Sequence, residues 1–511
     1  MAQPSGSSRR RISIFVVIGT VFALCMCGQV VVFHNIFSVV SEVQQESPRA
    51  LLRTADSVVA LASTAHSTTN PAPPAKQDPP PHVTSEPATS FSTTPPNSTD
   101  SEPSASPTAH SPPWTAADVA FDHVFNADTK AFPSKFASAS RGIVMCVHNA
   151  IVPMGVSLIQ ELRALGNTDP IQVYHCLSNE LSSSASNALH GLDTNVEVVD
   201  VCSILVSSHV FSDQAVARRF QNVWLKPVAL VFAPFPSVML VDADAIFLHD
   251  PALLWASSPV RYTGTLFFYD RVLDFSQFLN QDVGPGKTFI DDFFDTFPYD
   301  AVQLERPPVS NTMRQSMVWN KHTAHEQDSS VVVIDKRRAG PHVLRTLWYL
   351  VTTKRFQDQI TFSWGDKEAY WLSFELANVP YAFSPWNCAV VSLPDDLTRH
   401  PSTLCGSLAQ FWPELDTNEL FFVNGNAVVN VHRMGDGQHT NWSARADELV
   451  AAIPSHVTPR HARHQTSQDR QGLDQTCLID EGAEAISAAF HAVAERRIRR
   501  GQAVAEAMSW E

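Results

Sequence analysis

The chain has 511 residues, a hydrophobic fraction of 44% and a formal net charge of −15. That length and composition suit one large globular domain, or two ordinary ones, with appendages. The acidic balance argues against a nucleic-acid partner, whose phosphates call for a basic face.

The first predicted element is residues 12–33, a run without a charged side chain, directly preceded by Arg9, Arg10 and Arg11. As a helix it would span roughly 33 Å, enough to cross a bilayer. The arginines place residues 1–11 on the cytoplasmic side. The competing reading is a cleaved signal peptide, but the apolar run is long for one, and Cys25, Cys27 and Gln29 make a poor small-residue cleavage site. An uncleaved single-pass anchor puts the rest of the chain in the secretory lumen, where disulfides are permitted. Six cysteines then follow. Cys388 and Cys405, close in sequence, form the expected local pair, while Cys146 and Cys176 lie in apolar runs and are expected as buried free thiols. Residues 34–131 read as a Ser/Thr/Pro-rich stem: thirteen of the 35 prolines fall in 71–113, a composition that cannot bury enough apolar surface to offset chain entropy. Asn97-Ser98-Thr99 and Asn441-Trp442-Ser443 are glycosylation sequons.

A globular domain is expected over 132–454, with 455–511 as a partly helical extension. Gly142-Ile143-Val144-Met145-Cys146-Val147 is a buried-strand pattern, followed by a helix over 154–165, a strand over 171–177, a helix over 181–189 and a strand over 196–200. This alternation predicts an α/β fold with a mostly parallel central sheet and helices on both faces, binding its ligand at the carboxyl ends of the strands. The most informative segment is Ser237-Val238-Met239-Leu240-Val241-Asp242-Ala243-Asp244-Ala245-Ile246-Phe247. An apolar strand that runs straight into two aspartates is costly unless a cation neutralises them. Carboxylate oxygens at i and i+2 suit Mn2+ or Mg2+, leaving positions open for substrate phosphates. Alone, Asp-x-Asp is most often an ordinary turn; the apolar runs on both sides point to metal ligands. Asp250, before Pro251, is expected to cap a short helix over 252–255.

Later candidates include Asp270 after a strand over 265–269, Asp335 and Lys336 at another strand end, and Gly365-Asp366-Lys367-Glu368 opening a helix over 369–376. There a carboxylate is first of all a cap. His432 follows an expected strand over 428–431; a lone histidine there is more often structural than a ligand. Arg496, Arg497, Arg499 and Arg500 fall on an expected C-terminal helix over 481–508, as a solvated or partner-binding face.

Taken together, Trp224-Leu225-Lys226-Pro227-Val228-Ala229-Leu230, the segment from Val238 to Asp244, His249-Asp250-Pro251, Gly264-Thr265-Leu266-Phe267-Phe268, Ser330-Val331-Val332-Val333-Ile334-Asp335-Lys336 and Gly365-Asp366-Lys367-Glu368-Ala369-Tyr370-Trp371-Leu372 resemble the fungal-type Golgi α-mannosyltransferases. The likeness covers about 142–386; residues 277–326 match nothing in that pattern, and the likeness thins after Pro385. The resemblance implies a GT-A nucleotide-diphospho-sugar transferase fold on a type II Golgi anchor, and retaining transfer from GDP-mannose to a glycan. It implies Asp242, Asp244 and His432 as metal ligands, Lys226 on the donor and Asp366 in the sugar pocket; Asp270, from its place after the strand over 265–269, is expected near the acceptor. A UDP-sugar donor would use the same metal logic. A catalytically inactive glycan-binding or scaffold subunit, or a membrane-tethered adhesin, are the alternatives of another class; loss of the paired aspartates would favour them, and both are present. Assembly as a homo-oligomer or with other Golgi transferases is left open.

Overall fold

The computed structural model describes residues 134–357, 361–432, 441–467 and 472–508. The expected cytoplasmic tail, anchor and stem (1–131), the sequon at Asn97 and the residues just after His432 lie outside the described residues. Among the described residues no helix is long and apolar enough to cross a membrane.

A six-stranded sheet organises the chain. Its strands are β1 (Arg141–Cys146), β2 (Ile171–His175), β3 (Val196–Asp200), β4 (Ser237–Val241), β6 (Thr265–Tyr269) and β9 (Gln327–Asp335), in the order β3-β2-β1-β4-β9-β6. The short β5 (Ala245–Phe247) follows β4, and a small hairpin of β7 (Asp282–Gly284) and β8 (Lys287–Thr288) falls in the segment 277–326. β1 pairs in parallel with β2 and β4, and β2 with β3. β9 runs antiparallel to both β4 and β6, so the sheet is mixed, with one strand running against the other five.

Both faces are covered, which is why the strands read as nearly continuous apolar runs. Alternate side chains divide between two cores. Val144, Val238, Leu240, Val332 and Ile334 join one, with helices α3 (Leu225–Phe232), α4 (Lys336–Tyr349) and α5 (Ala369–Leu376). Ile143, Met145, Met239, Val241, Val331 and Val333 join the other, with α1 (Val152–Ala164). α2 (Ser183–His190) precedes β3. This second core continues into a four-stranded antiparallel sheet ordered β10-β11-β12-β5, where β10 is Ala389–Val390, β11 Leu408–Phe411 and β12 Leu420–Asn424. β13 (His456–Val457) and β14 (Glu484–Ala485) pair beyond it.

Several sequence readings are corrected. The strand expected over 428–431 is a helical turn, Asn426–Val429; the strand is β12, just before it. The arginines of the last helix, α7 (Ala488–Ala507), do not form a solvated face: Arg497 is fully buried, and Arg496 and Arg500 both pair with Glu161, itself 1% exposed, on α1. Phe490, Val493, Ala494 and Ile498 of α7 lie in the second core, and α6 (Trp442–Ala451) packs beside them. Cys405 pairs with Cys477 and Cys176 with Cys202, leaving Cys388 and Cys146 free. Proximity in sequence misled here, because Cys388 points into a small core with Val390 and Leu404 while the chain returns to Cys405 from 72 residues away.

Candidate active site

β1, β4 and β6 all end at one edge of the sheet, and β9, running the other way, begins there. The turn after β4 is tight. The Asp242 N–H donates to the Ser330 carbonyl at 2.8 Å, and the Ala245 N–H returns to the Asp242 carbonyl at 3.1 Å. β5 then leaves for the second sheet, so the paired aspartates stand where the two sheets separate. They line a pocket of about 270 Å3 together with Cys146, His148, Glu180 and Lys226.

Lys226, on the first turn of α3, is the hub of this edge. Its Nζ lies 3.0 Å from Asp242 Oδ1 and 3.3 Å from Asp366 Oδ2, and donates to the Ser329 hydroxyl at 3.0 Å. Burial opposes its charge, but the two aspartates more than offset that, and its pKa is raised. Asp366 comes from the loop before α5. Its carboxylate does not cap that helix, as its position suggested; it accepts from Tyr370 Oη at 2.7 Å and from the Ser329 hydroxyl at 3.3 Å. Asp366 is 2% exposed, Lys226 7% and Asp242 27%, so Asp242 is the member of the triad open to the pocket.

Burial pushes the Asp242 carboxyl up to about 7; Lys226 opposes this, and Asp244 and Asp366 add repulsion. Burial also raises Asp244. Two carboxylates with more negative charge than their neighbours balance are a donor set that a divalent cation would relieve. The residues present therefore fit a hard ion whose other ligands come from a bound phosphate. They do not make an all-protein cage: among the described residues no group of three or more His, Cys, Asp and Glu is arranged to hold a metal. His432 is not in the pocket lining; its ring meets Trp442 edge-on, with centroids 5.0 Å apart.

A second polar layer lies beside the first. Asp270, at the end of β6, is 1% exposed, with Lys367 donating to it and His325 Nε2 3.5 Å away. Burial works against its charge, but Lys367 prevails and its pKa is lowered. Arg463 bridges the Asp270 carbonyl, Asn387 and Glu326. Glu368 accepts from the backbone of Glu326 and Gln327 and from the Trp371 indole, a structural role. Asp335 and Lys336 are structural as well: Asp335 caps α4, and Lys336 donates to carbonyls at the end of α3. Asp250 accepts from the Ala252 N–H, the expected cap.

A mannosyltransferase family described as "Mannosyltransferase putative" matches residues 140–410, just over half of the chain. The chain belongs to this mannosyltransferase family. It is 24% identical over 272 residues to the alpha-1,3-mannosyltransferase MNT2 of Saccharomyces cerevisiae, covering 52% of this chain and 47% of that one. With the alpha-1,3-mannosyltransferase MNT3 of the same yeast it shares 25% over 309 residues, 56% of this chain and 46% of that one. The chain thus spans less than half the length of the curated relatives it matches. Among solved structures, the mannosyltransferase Ktr4p of S. cerevisiae is similar at 13% identity and a TM-score of 0.30, covering 50% of this chain and 73% of that one.

The family match ends at residue 410, yet two residues beyond it shape the Asp242–Asp244 turn of this mannosyltransferase-family chain, and the sequence reading missed both roles. Arg497 donates from Nη2 to the Ala243 carbonyl at 2.8 Å, from Nη1 to the Ala245 carbonyl, and from Nε to the Ser157 hydroxyl at 2.9 Å. One buried guanidinium fork thus holds the backbone on both sides of Asp244. Burial lowers its pKa to about 10, which leaves it charged at neutral pH. Gly425 packs against the same turn: its N–H donates to the Asp244 carbonyl at 3.0 Å, and a Cβ there would meet Ile246 Cδ1 at 2.4 Å. Glycine admits that approach because it has no side chain.

Proposed function

We propose that this chain is a retaining GT-A glycosyltransferase that moves an α-mannosyl group from GDP-mannose to a hydroxyl of a glycan acceptor. In this reading residues 12–33 hold it as a type II protein in the Golgi membrane, with the transferase domain in the lumen. The observation that carries the proposal is the convergence of Lys226, Asp242 and Asp366 at one sheet edge, with Asp242 and Asp244 on the pocket wall.

In the reaction the C1–O bond to the diphosphate breaks, its electron pair leaving on the diphosphate, while a C1–O bond to the acceptor oxygen forms and the acceptor hydroxyl gives its proton to the departing diphosphate. A divalent ion bound at Asp242 and Asp244 would neutralise the diphosphate as it leaves. Lys226 fixes the relative position of Asp242 and Asp366 and places a positive charge beside the phosphate path. Asp366, 2% exposed and engaged by Lys226, Tyr370 and Ser329, acts on the donor through Lys226, whose ammonium it orients toward the pocket. His432, outside the pocket lining with its ring edge-on to Trp442, is the proposed third ligand, and the geometry that carries the reading is that of the two aspartates.

The test is to incubate the full chain with Mn2+, a methyl mannoside acceptor and, in parallel, GDP-mannose, UDP-glucose, UDP-galactose and UDP-xylose. Chelator-sensitive transfer from GDP-mannose alone is expected. Turnover of a UDP-sugar instead would reassign the donor, and no turnover of any would leave the inactive-subunit reading as the better one.

A further inference from the structure

Trp364 is 55% exposed, an unusual state for a tryptophan in a folded chain, and it lies two residues before Asp366. The loop that carries it is held in place. Gly365 adopts a positive φ of 73°, and a Cβ on it would come within 3.2 Å of Val223 Cγ2. Val223, 47% exposed, lines the pocket. Two exposed large apolar side chains thus adjoin Gly365, and one of them, Val223, belongs to the pocket lining. Behind the indole stands Phe278, 8% exposed, with ring centroids 6.1 Å apart; Phe278 in turn stacks on His325, 6.2 Å away. The indole thus meets Phe278 at a tilt of 53° while more than half of the residue stays exposed. Phe278 belongs to 277–326, the segment that matched nothing in the family pattern, so this wall is built by that segment.

We infer that Trp364, backed by Phe278, is the platform on which the acceptor sugar stacks; the inference rests on the transferase reading of the adjoining pocket. An aromatic face beside a pyranose shields the sugar's C–H surface while leaving its hydroxyls free to hydrogen-bond. The donor's diphosphate belongs deeper, at the paired aspartates, and an uncharged indole offers a phosphate nothing. A neutral saccharide is also the ligand that suits a rim beside three aspartates, where an anionic acceptor would be repelled. Gly365, next to Trp364, packs against Val223 of the pocket lining, so a sugar on the indole would lie beside the donor's pocket, which group transfer needs.

The experiment compares the full chain with its Trp364→Ala and Trp364→Tyr variants. Acceptor and donor KM are measured with a methyl α-mannobioside and GDP-mannose, and direct binding of the mannobioside is followed by saturation-transfer NMR. Trp364→Ala is expected to raise the acceptor KM and the mannobioside Kd by roughly tenfold, with a smaller effect on the donor KM, and Trp364→Tyr to restore most of the loss. Equal mannobioside affinity in wild type and Trp364→Ala would overturn the platform, as would donor and acceptor KM rising together. Wild type that transfers nothing yet binds the mannobioside through Trp364 would sink the transferase reading and keep the platform; wild type that neither transfers nor binds would sink both.

Discussion

The paired aspartates carry the most chemistry per residue, and their variants separate catalysis from stability. Asp242→Asn or Asp244→Asn keeps side-chain volume and removes one charge from the ligand set proposed for a divalent ion. Turnover should fall by about 10²-fold or more, while melting without metal stays level or rises, because repulsion among Asp242, Asp244 and Asp366 is relieved. Wild-type turnover with an unchanged Mn2+ response in either variant would move the metal site elsewhere. His325 gives a prediction of another kind. Burial lowers its pKa from 6.5 to about 4, so between those values the unfolded chain binds the extra proton and the folded chain does not. Stability from this group is complete above about pH 6.5 and is lost as pH falls toward 4, by roughly 3 kcal/mol in total. Melting curves of wild type and His325→Gln between pH 7 and 4 should therefore converge on acidification; parallel curves would show that the histidine titrates normally.

At the scale of elements, α7, the last helix, is tied to the Asp242–Asp244 turn. Its apolar face fills the second core, and Arg497 reaches the carbonyls of Ala243 and Ala245. Arg497→Met removes the fork and leaves the Ala243 and Ala245 carbonyls without their guanidinium donor, a loss of about 3–5 kcal/mol. Thermal melting and turnover should both drop. Arg497→Lys keeps the charge but can reach fewer acceptors at once, so it should recover part of the stability and less of the turnover, because the turn around Asp244 would no longer be held from both sides. If Arg497→Met melted like wild type, the helix would be docked by its apolar face alone.

At the scale of the whole molecule, two disulfides among the described residues close loops between positions far apart in sequence. Cys405–Cys477 ties residues 72 apart and Cys176–Cys202 residues 26 apart. Peptide mapping without reduction should recover both cross-links and no Cys388–Cys405 peptide. Replacing Cys405 and Cys477 together by serine should cost about 2–4 kcal/mol, mainly by releasing the unfolded chain. Recovery of free Cys477 from the native, unreduced protein would contradict the pairing.

What the sequence determined by itself was local. β1 to β4, the helices before and after them and α5 were legible because an element buried on one or both faces must repeat its apolar residues at its own period. The Asp242–Asp244 motif was legible because two carboxylates at the end of an apolar strand conflict with burial unless something answers them. The mixed direction of β9, the pairing of Cys405 with Cys477, the place of His432 against Trp442, and the roles of Arg497 and Gly425 were decided only by tertiary structure. A run of arginines on a helix reads as solvated because the sequence does not show which face another element will cover. Arg497 lies 253 positions beyond Asp244, and nothing local to either residue records that the folded chain brings the guanidinium onto the carbonyls beside that aspartate.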